Sequence, residues 1–192
     1  MICKESFAII LAMAISNDID LAHFIRDIPD YPKLGILFRD VSPLLLDGAA
    51  FRFAIDQLAA RVSPGTQLVA GIEARGFLIA AALSYALGLG TLMLRKPGKL
   101  PGAKIGIDYA LEYGSDRIEM HSGQVAAGQK ILLVDDLIAT GGTAMAGAHL
   151  IRQAGGTVTQ ALFLVDLPDL GGSAKLRDLG IEPQALLAFA GD

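Results

Sequence analysis

Two adjacent carboxylates, Asp135 and Asp136, follow the apolar run Ile131–Val134 and precede the turn Thr140-Gly141-Gly142-Thr143. Side by side, two acceptor-only groups repel each other and require hydroxyl donors or a cation. The turn offers complementary chemistry. Backbone N–H groups pointing into a Gly-rich turn, with a helix starting behind it, make an anion nest. Gly141 and Gly142 carry no Cβ, so the main chain can come close to an anion, and Thr140 and Thr143 add hydroxyl donors. A nucleoside-triphosphate P-loop is excluded, because Thr143 stands where that motif needs Lys. A phosphorylated ribose fits instead, with its phosphate in the nest, its vicinal hydroxyls on the acids and Mg²⁺ nearby.

Two further segments bring cations to a chain whose net charge is −4. Glu73-Ala74-Arg75-Gly76 lies between an apolar run, Gln67–Ile72, and a helical pattern from Phe77 to about Leu87. A turn at the carboxyl end of a parallel strand is where open α/β sheets bind ligands. Residues 95–104 hold Arg95, Lys96, Lys99 and Lys104 with no acid among them, and two Pro and two Gly make the segment irregular. The acidic balance argues against a nucleic-acid or anionic-membrane surface, so any anion site must be a local concentration of basic residues such as this one; taken alone, the segment also reads as a solvated basic loop.

These residues need a scaffold. A chain of 192 residues, 53% hydrophobic, holds enough apolar material for one domain with a sizeable core. Short apolar runs alternate with helical patterns, which predicts an α/β fold: a parallel sheet flanked by helices. Strands are expected at Gln67–Ile72, Thr91–Leu94, from Ile131, at Thr157–Leu167 and at Leu186–Phe189. Helices are expected at Ala49–Arg61, Phe77–Leu87, Thr143–Ala154 and Ala174–Leu179. Alternation over Ile107–Tyr113 and Arg117–Met120 predicts a hairpin. Near the start, Asn17 and Asp18 offer a helix cap, and Leu21, Phe24, Ile25 and Ile28 follow at helical spacing, ended by Pro29 and Pro32. Phe7–Ile15 is apolar but too short to span a bilayer, which takes about 20 residues. It reads as a helix packed on the body or as the product of an upstream start codon. The single Cys3 excludes a disulfide framework and suits a reducing cytosol, and three scattered His give no metal-ligand cluster.

Taken together, VDDLIATGGT resembles the phosphoribosyl-pyrophosphate (PRPP) signature of type I phosphoribosyltransferases. DYPKLGILFRDVSPLL resembles the base-binding hood of the adenine phosphoribosyltransferases, and GIEARGF, RKPGKLPG and YxLEYG match further segments of that family in the same order. The resemblance runs from Asp18 to Gly191. It implies a domain over 18–192 with a hood from about 30–45 and 167–172 and a mobile loop over about 96–120, leaving 1–17 as an extension of open role. It also implies a cis Glu73–Ala74 bond. By the same resemblance Leu37, Phe38, Arg39 and Leu167 hold adenine, and Arg75, Arg95, Lys96 and Lys99 hold pyrophosphate. Asp135 and Asp136 take the ribose, and Ala139–Thr143 (Ala139, Thr140, Gly141, Gly142, Thr143) takes the 5-phosphate. Glu112 is the implied handler of a purine proton; from the residues alone it is a surface acid.

The implied activity is adenine plus PRPP to AMP and pyrophosphate, with Glu112, Asp135, Asp136 and Arg75 as the catalytic set. Mg²⁺ would be held mainly by PRPP and water, with no protein ligand. A cytoplasmic homodimer is implied, with Arg95 reaching across its interface and neither nucleic acid nor membrane as partner. A transferase for xanthine, guanine or orotate and a non-catalytic PRPP-binding regulator are the alternatives; the hood disfavours the first, and the lack of a nucleic-acid module disfavours the second.

Overall fold

A computed structural model describes residues 19–110 and 115–190. The extension before residue 18 and Glu112 therefore lie outside the described residues.

Five strands make the central sheet: β3 (Leu68–Ile72), β4 (Gly90–Leu94), β7 (Ile131–Ile138), β8 (Gln160–Asp166) and β9 (Glu182–Ala188). They run in the order β4-β3-β7-β8-β9, and every neighbouring pair is parallel. Side chains of β7 alternate between the two faces. Leu132 and Val134 join one apolar cluster with Val69 and Leu162, while Ile131 and Leu133 join the other with Ala70 and Phe163. Such strands have no polar face to spare, which is why they read as continuous apolar runs.

Helices α2 (Gly48–Ala59) and α3 (Arg75–Leu87) cover the first face through Ala54, Leu58, Ile79 and Leu83. Helices α4 (Gly142–Gln153) and α5 (Gly172–Asp178) cover the second through Ala148, Leu150, Ile151 and Leu176. The second face also takes an antiparallel hairpin, β5 (Lys104–Ala110) with β6 (Ser115–His121), by way of Ile118 and Met120. The chain thus leaves adjacent strands β3 and β7 toward opposite faces, into α3 and α4. A crevice opens where those two exits diverge, the switch point of an open parallel sheet.

A two-stranded antiparallel sheet, β1 (Arg26–Pro29) with β2 (Leu37–Asp40), precedes the short helix α1 (Ser42–Leu46). This corrects the expected helix over Leu21–Ile28. Only Leu21–Phe24 coils, as a single 3-10 turn capped by Asp20, whose side chain accepts from Ala22 N at 3.1 Å. Beyond it Arg26 and Asp27 face Asp40 and Arg39 in register, and both pairs close as ion pairs at 2.6 Å. A partner strand starting at Leu37 outweighed the local 3.6-residue spacing. Smaller differences follow the same logic. β7 runs through both aspartates to Ile138, and β5 begins at Lys104, inside the segment expected to be irregular. Residues 111–114 between the hairpin strands lie outside the described set.

Candidate active site

The crevice holds a cavity of about 440 Å³. Leu37, Phe38 and Arg39 of β2 form one wall, with Leu167 and Leu170 on another; Glu73–Arg75 follow β3, Asp135 and Asp136 lie on β7, and Lys96, Ala139 and Thr143 complete the lining. A second cavity of about 130 Å³ adjoins it around Ala139–Ala144 and shares Asp135, Leu137, Ala139 and Thr143 with the first. The tertiary structure therefore gathers most of the sequence-predicted residues at one place.

The base-sized end is apolar. Phe38 lies edge-on to Tyr31 with ring centroids 5.3 Å apart, and the Arg75 guanidinium sits 5.8 Å from its ring. Leu167 is buried, and its N–H donates to Ile138 O at 3.0 Å, which ties this wall to β7. Among the described residues β2 is paired with β1 alone, so its other edge keeps backbone donors and acceptors for a ligand. Arg39 spends its guanidinium on Asp27 and on the face of Phe189, 4.6 Å away.

At the acidic end, Asp136 is buried and takes a hydrogen bond and ion pair from Arg75 Nε. Asp135 accepts from the Asp136 N–H at 2.9 Å. Burial, and then the neighbouring Asp136 charge, push the Asp135 carboxyl well above the usual carboxylate range. An ionised Asp135 is therefore held at a cost that hydroxyl donors or a cation would relieve. The bond between Glu73 and Ala74 is cis, as the resemblance implied.

The turn after β7 is shaped as a nest. Gly141 sits at φ +79°, in the left-handed region, and caps α4. The first-turn N–H groups of a helix have no acceptor within it, and here they open onto the smaller cavity.

Of the basic residues in the segment 95–104, Lys96 alone lines the main cavity. Its Nζ is ion-paired with Asp116 and donates to Tyr109 Oη at 2.9 Å; Tyr109 Oη in turn lies 3.2 Å from Thr143 Oγ1. Arg95 is held by Glu73 at 3.2 Å and lies over the Phe77 ring. The Arg95 hydrogen bond, outweighing burial, holds Glu73 below the usual glutamate range. Lys99 touches this group only through its carbonyl, 3.5 Å from an Arg95 N–H. Tyr109, Asp116, Glu73, Ile36 and Leu170 are further members of the site, to which the sequence assigned no role. Their only signal was membership of segments already singled out, and membership does not tell a lining residue from its neighbours.

Comparison with known proteins agrees with this geometry. Residues 45–171 match the family model described as the phosphoribosyl transferase domain. The chain is 54% identical over 174 residues to the adenine phosphoribosyltransferase of Erythrobacter litoralis, covering 90% of this chain and 97% of that one. With the enzyme of Sphingopyxis alaskensis the identity is 49% over 183 residues, covering 95% and 100%. Among solved structures, the adenine phosphoribosyltransferase of Thermoanaerobacter pseudethanolicus superposes with a TM-score of 0.84 at 44% identity, covering 88% of this chain and 98% of that one. The Saccharomyces cerevisiae enzyme, solved with an imino-altritol bisphosphate and adenine, superposes with a TM-score of 0.79 at 34% identity, covering 88% and 97%. On these matches the chain belongs to the phosphoribosyltransferase family and, within it, to the adenine phosphoribosyltransferases.

Proposed function

We propose that this chain transfers the phosphoribosyl group of PRPP to N9 of adenine, forming AMP and releasing pyrophosphate. One juxtaposition carries the reading: the apolar end of a cavity, a pair of acids and a neutral phosphate nest meet where β3 and β7 send their helices to opposite faces.

Adenine lies between Phe38 and Leu167, in the hood formed by about 30–45 and 167–172. Backbone groups of Leu37, Phe38 and Arg39 meet its N1 acceptor and 6-amino donor. A 6-oxopurine reverses that pattern and leaves buried groups unpaired, which discriminates by about 10⁴–10⁵. Asp135 and Asp136 receive the ribose hydroxyls, and Ala139–Thr143 holds the 5-phosphate, whose binding supplies orientation.

In the reaction the bond from ribose C1 to pyrophosphate breaks and its electron pair leaves with pyrophosphate. The N9 lone pair forms the new bond from the opposite face, and the N9 proton departs, with Glu112 as its proposed acceptor. Arg75, Arg95, Lys96 and Lys99 meet the charge growing on the leaving group, and Asp135 and Asp136 face the positive charge growing on the ring.

Among the described residues no three His, Cys, Asp or Glu cluster around one point, while two carboxylates stand beside the nest. This fits Mg²⁺ held mainly by substrate phosphates and water, since that ion keeps several waters and needs no all-protein cage. When bound, Mg²⁺ would add charge stabilisation on the pyrophosphate. Closure of residues 96–120 over the site would exclude water. A homodimer in a reducing cytosol completes the reading; among the described residues no helix is long and apolar enough to cross a membrane.

A panel of adenine, hypoxanthine, guanine, xanthine and orotate, each with PRPP and Mg²⁺, tests the proposal by mass detection of the nucleotide. AMP alone is expected. Comparable nucleotide from a 6-oxopurine would overturn the base assignment, and no nucleotide from any base would overturn the enzyme reading.

A further inference from the structure

An anion nest works only if its carbonyl oxygens are turned away, because each carbonyl lone pair facing a phosphate repels it. Three consecutive carbonyls of the loop after β7 are each taken by a donor. Ala139 O accepts from Gly172 N at 3.0 Å, and Gly141 O accepts from Met145 N at 2.9 Å. The carbonyl between them, Thr140 O, accepts from Lys175 Nζ at 3.0 Å. The first two donors are main-chain N–H groups. The third is a side chain, and it is charged.

We propose that Lys175 is a positioning residue for the 5-phosphate loop: its ammonium holds the Thr140 carbonyl outward, so that the loop N–H groups face the ligand, and it places a positive charge behind the site. This rests on the assignment of the 5-phosphate to Ala139–Thr143. The root of Lys175 is fixed against the loop. A Cβ on Gly172 would collide with Ala139 O and come within 2.7 Å of Gly141 N, so backbone meets backbone there. Ser173 Oγ donates to Asp166 Oδ2 at 2.8 Å, joining the same segment to the end of β8. Lys175 therefore reaches Thr140 from a segment already seated on the loop. The same segment carries Leu167 and Leu170 into the base cavity, so one stretch of chain supports both ends of the nucleotide.

The test uses Lys175→Met, Lys175→Arg and, as a control for loss of one exposed positive charge far from the site, Lys130→Met. Steady-state kinetics give kcat and the KM for PRPP and for adenine; calorimetry gives the Kd for AMP and for adenine. Lys175→Met is expected to raise the KM for PRPP and the Kd for AMP about three- to ten-fold, with adenine binding and kcat within about two-fold. Lys175→Arg should recover most of the loss, and Lys130→Met should match the wild type. Unchanged AMP affinity in Lys175→Met would overturn the proposal. So would equal losses for AMP and adenine, which would mark a general disturbance. Wild-type protein that binds AMP but makes none would count against the proposed reaction only, because the binding comparison needs no turnover.

Discussion

Two regions that face phosphate in the proposed complex are built on opposite principles. The loop Ala139–Thr143 contains no charged residue; it offers first-turn N–H groups of α4 and is braced by backbone contacts with Gly172. The segment from Arg95 to Lys104 offers cations, and each of three is occupied by an internal acid: Arg95 by Glu73, Lys96 by Asp116 and Lys104 by Glu119. The first region is preorganised, so a ligand meets dipoles that are already aligned. In the second, a ligand must draw cations away from carboxylates that hold them. Binding energy at the first should depend on shape, and at the second on the balance of ion pairs.

Asp135, on the strand that leads into the loop Ala139–Thr143, gives the sharpest test. Asp135→Asn should lower AMP synthesis by about a thousand-fold or more, since the ribose loses its ionised acceptor. Its folded pKa is raised, so the ionised carboxyl costs stability. That cost is absent below the ordinary carboxylate range, grows as pH rises through it and is complete above the raised value. Asp135→Asn should therefore raise Tm by about 2–4 °C at neutral pH, with the gain fading in acid. A Tm that falls at neutral pH would show that the ionised carboxyl supports the fold.

Gly141→Ala attacks the shape of the nest. The new Cβ would lie 2.9 Å from Gly172 Cα on a residue at φ +79°. The KM for PRPP should rise about 100-fold, as expected for a displacement of the order of 1 Å in a binding loop, with the KM for adenine little changed. A loss of two-fold or less would show that the loop yields, and the contrast with the basic segment would fail.

On the cationic side the effects should be smaller. Asp116→Asn frees Lys96 from its internal partner and should lower the KM for PRPP about two- to three-fold; an increase would mean that Asp116 positions Lys96 rather than competing for it. Glu73→Gln should lower Tm by about 2 °C at neutral pH. Because Glu73 is held below its usual range, the stability it contributes is present above the unfolded glutamate pKa and lost as pH falls through the lowered folded value. Melting curves of variant and wild type should converge there; a difference that persists in acid would assign the effect to packing.

The rigid region was also the more legible one. An apolar run, a Gly-Gly turn and a helical pattern are all local signals, and Ile131–Thr143 carries all three, so its strand, nest and helix could be read before any partner was known. The segment from Leu21 to Pro29 shows the limit. Its apolar spacing suits a helix, yet Arg26–Pro29 pairs with Leu37–Asp40, a choice made by residues outside any local window. No local spacing singles out Asp116 or Lys175; each acquires a partner at the site only because the hairpin and α5 fold back onto α4 and its loop.

The sequence by itself determined the alternation of buried strands and helices, the place of the two acids and the chemistry of the nest, because burial on both faces and glycine-dependent turns leave local traces. Only the tertiary structure decided that the exits of β3 and β7 diverge to opposite faces, that Phe38 and Leu167 share a cavity with the acids, and which carboxylate holds which cation. Those outcomes depend on contacts between residues distant in the chain, and no spacing along the sequence encodes them.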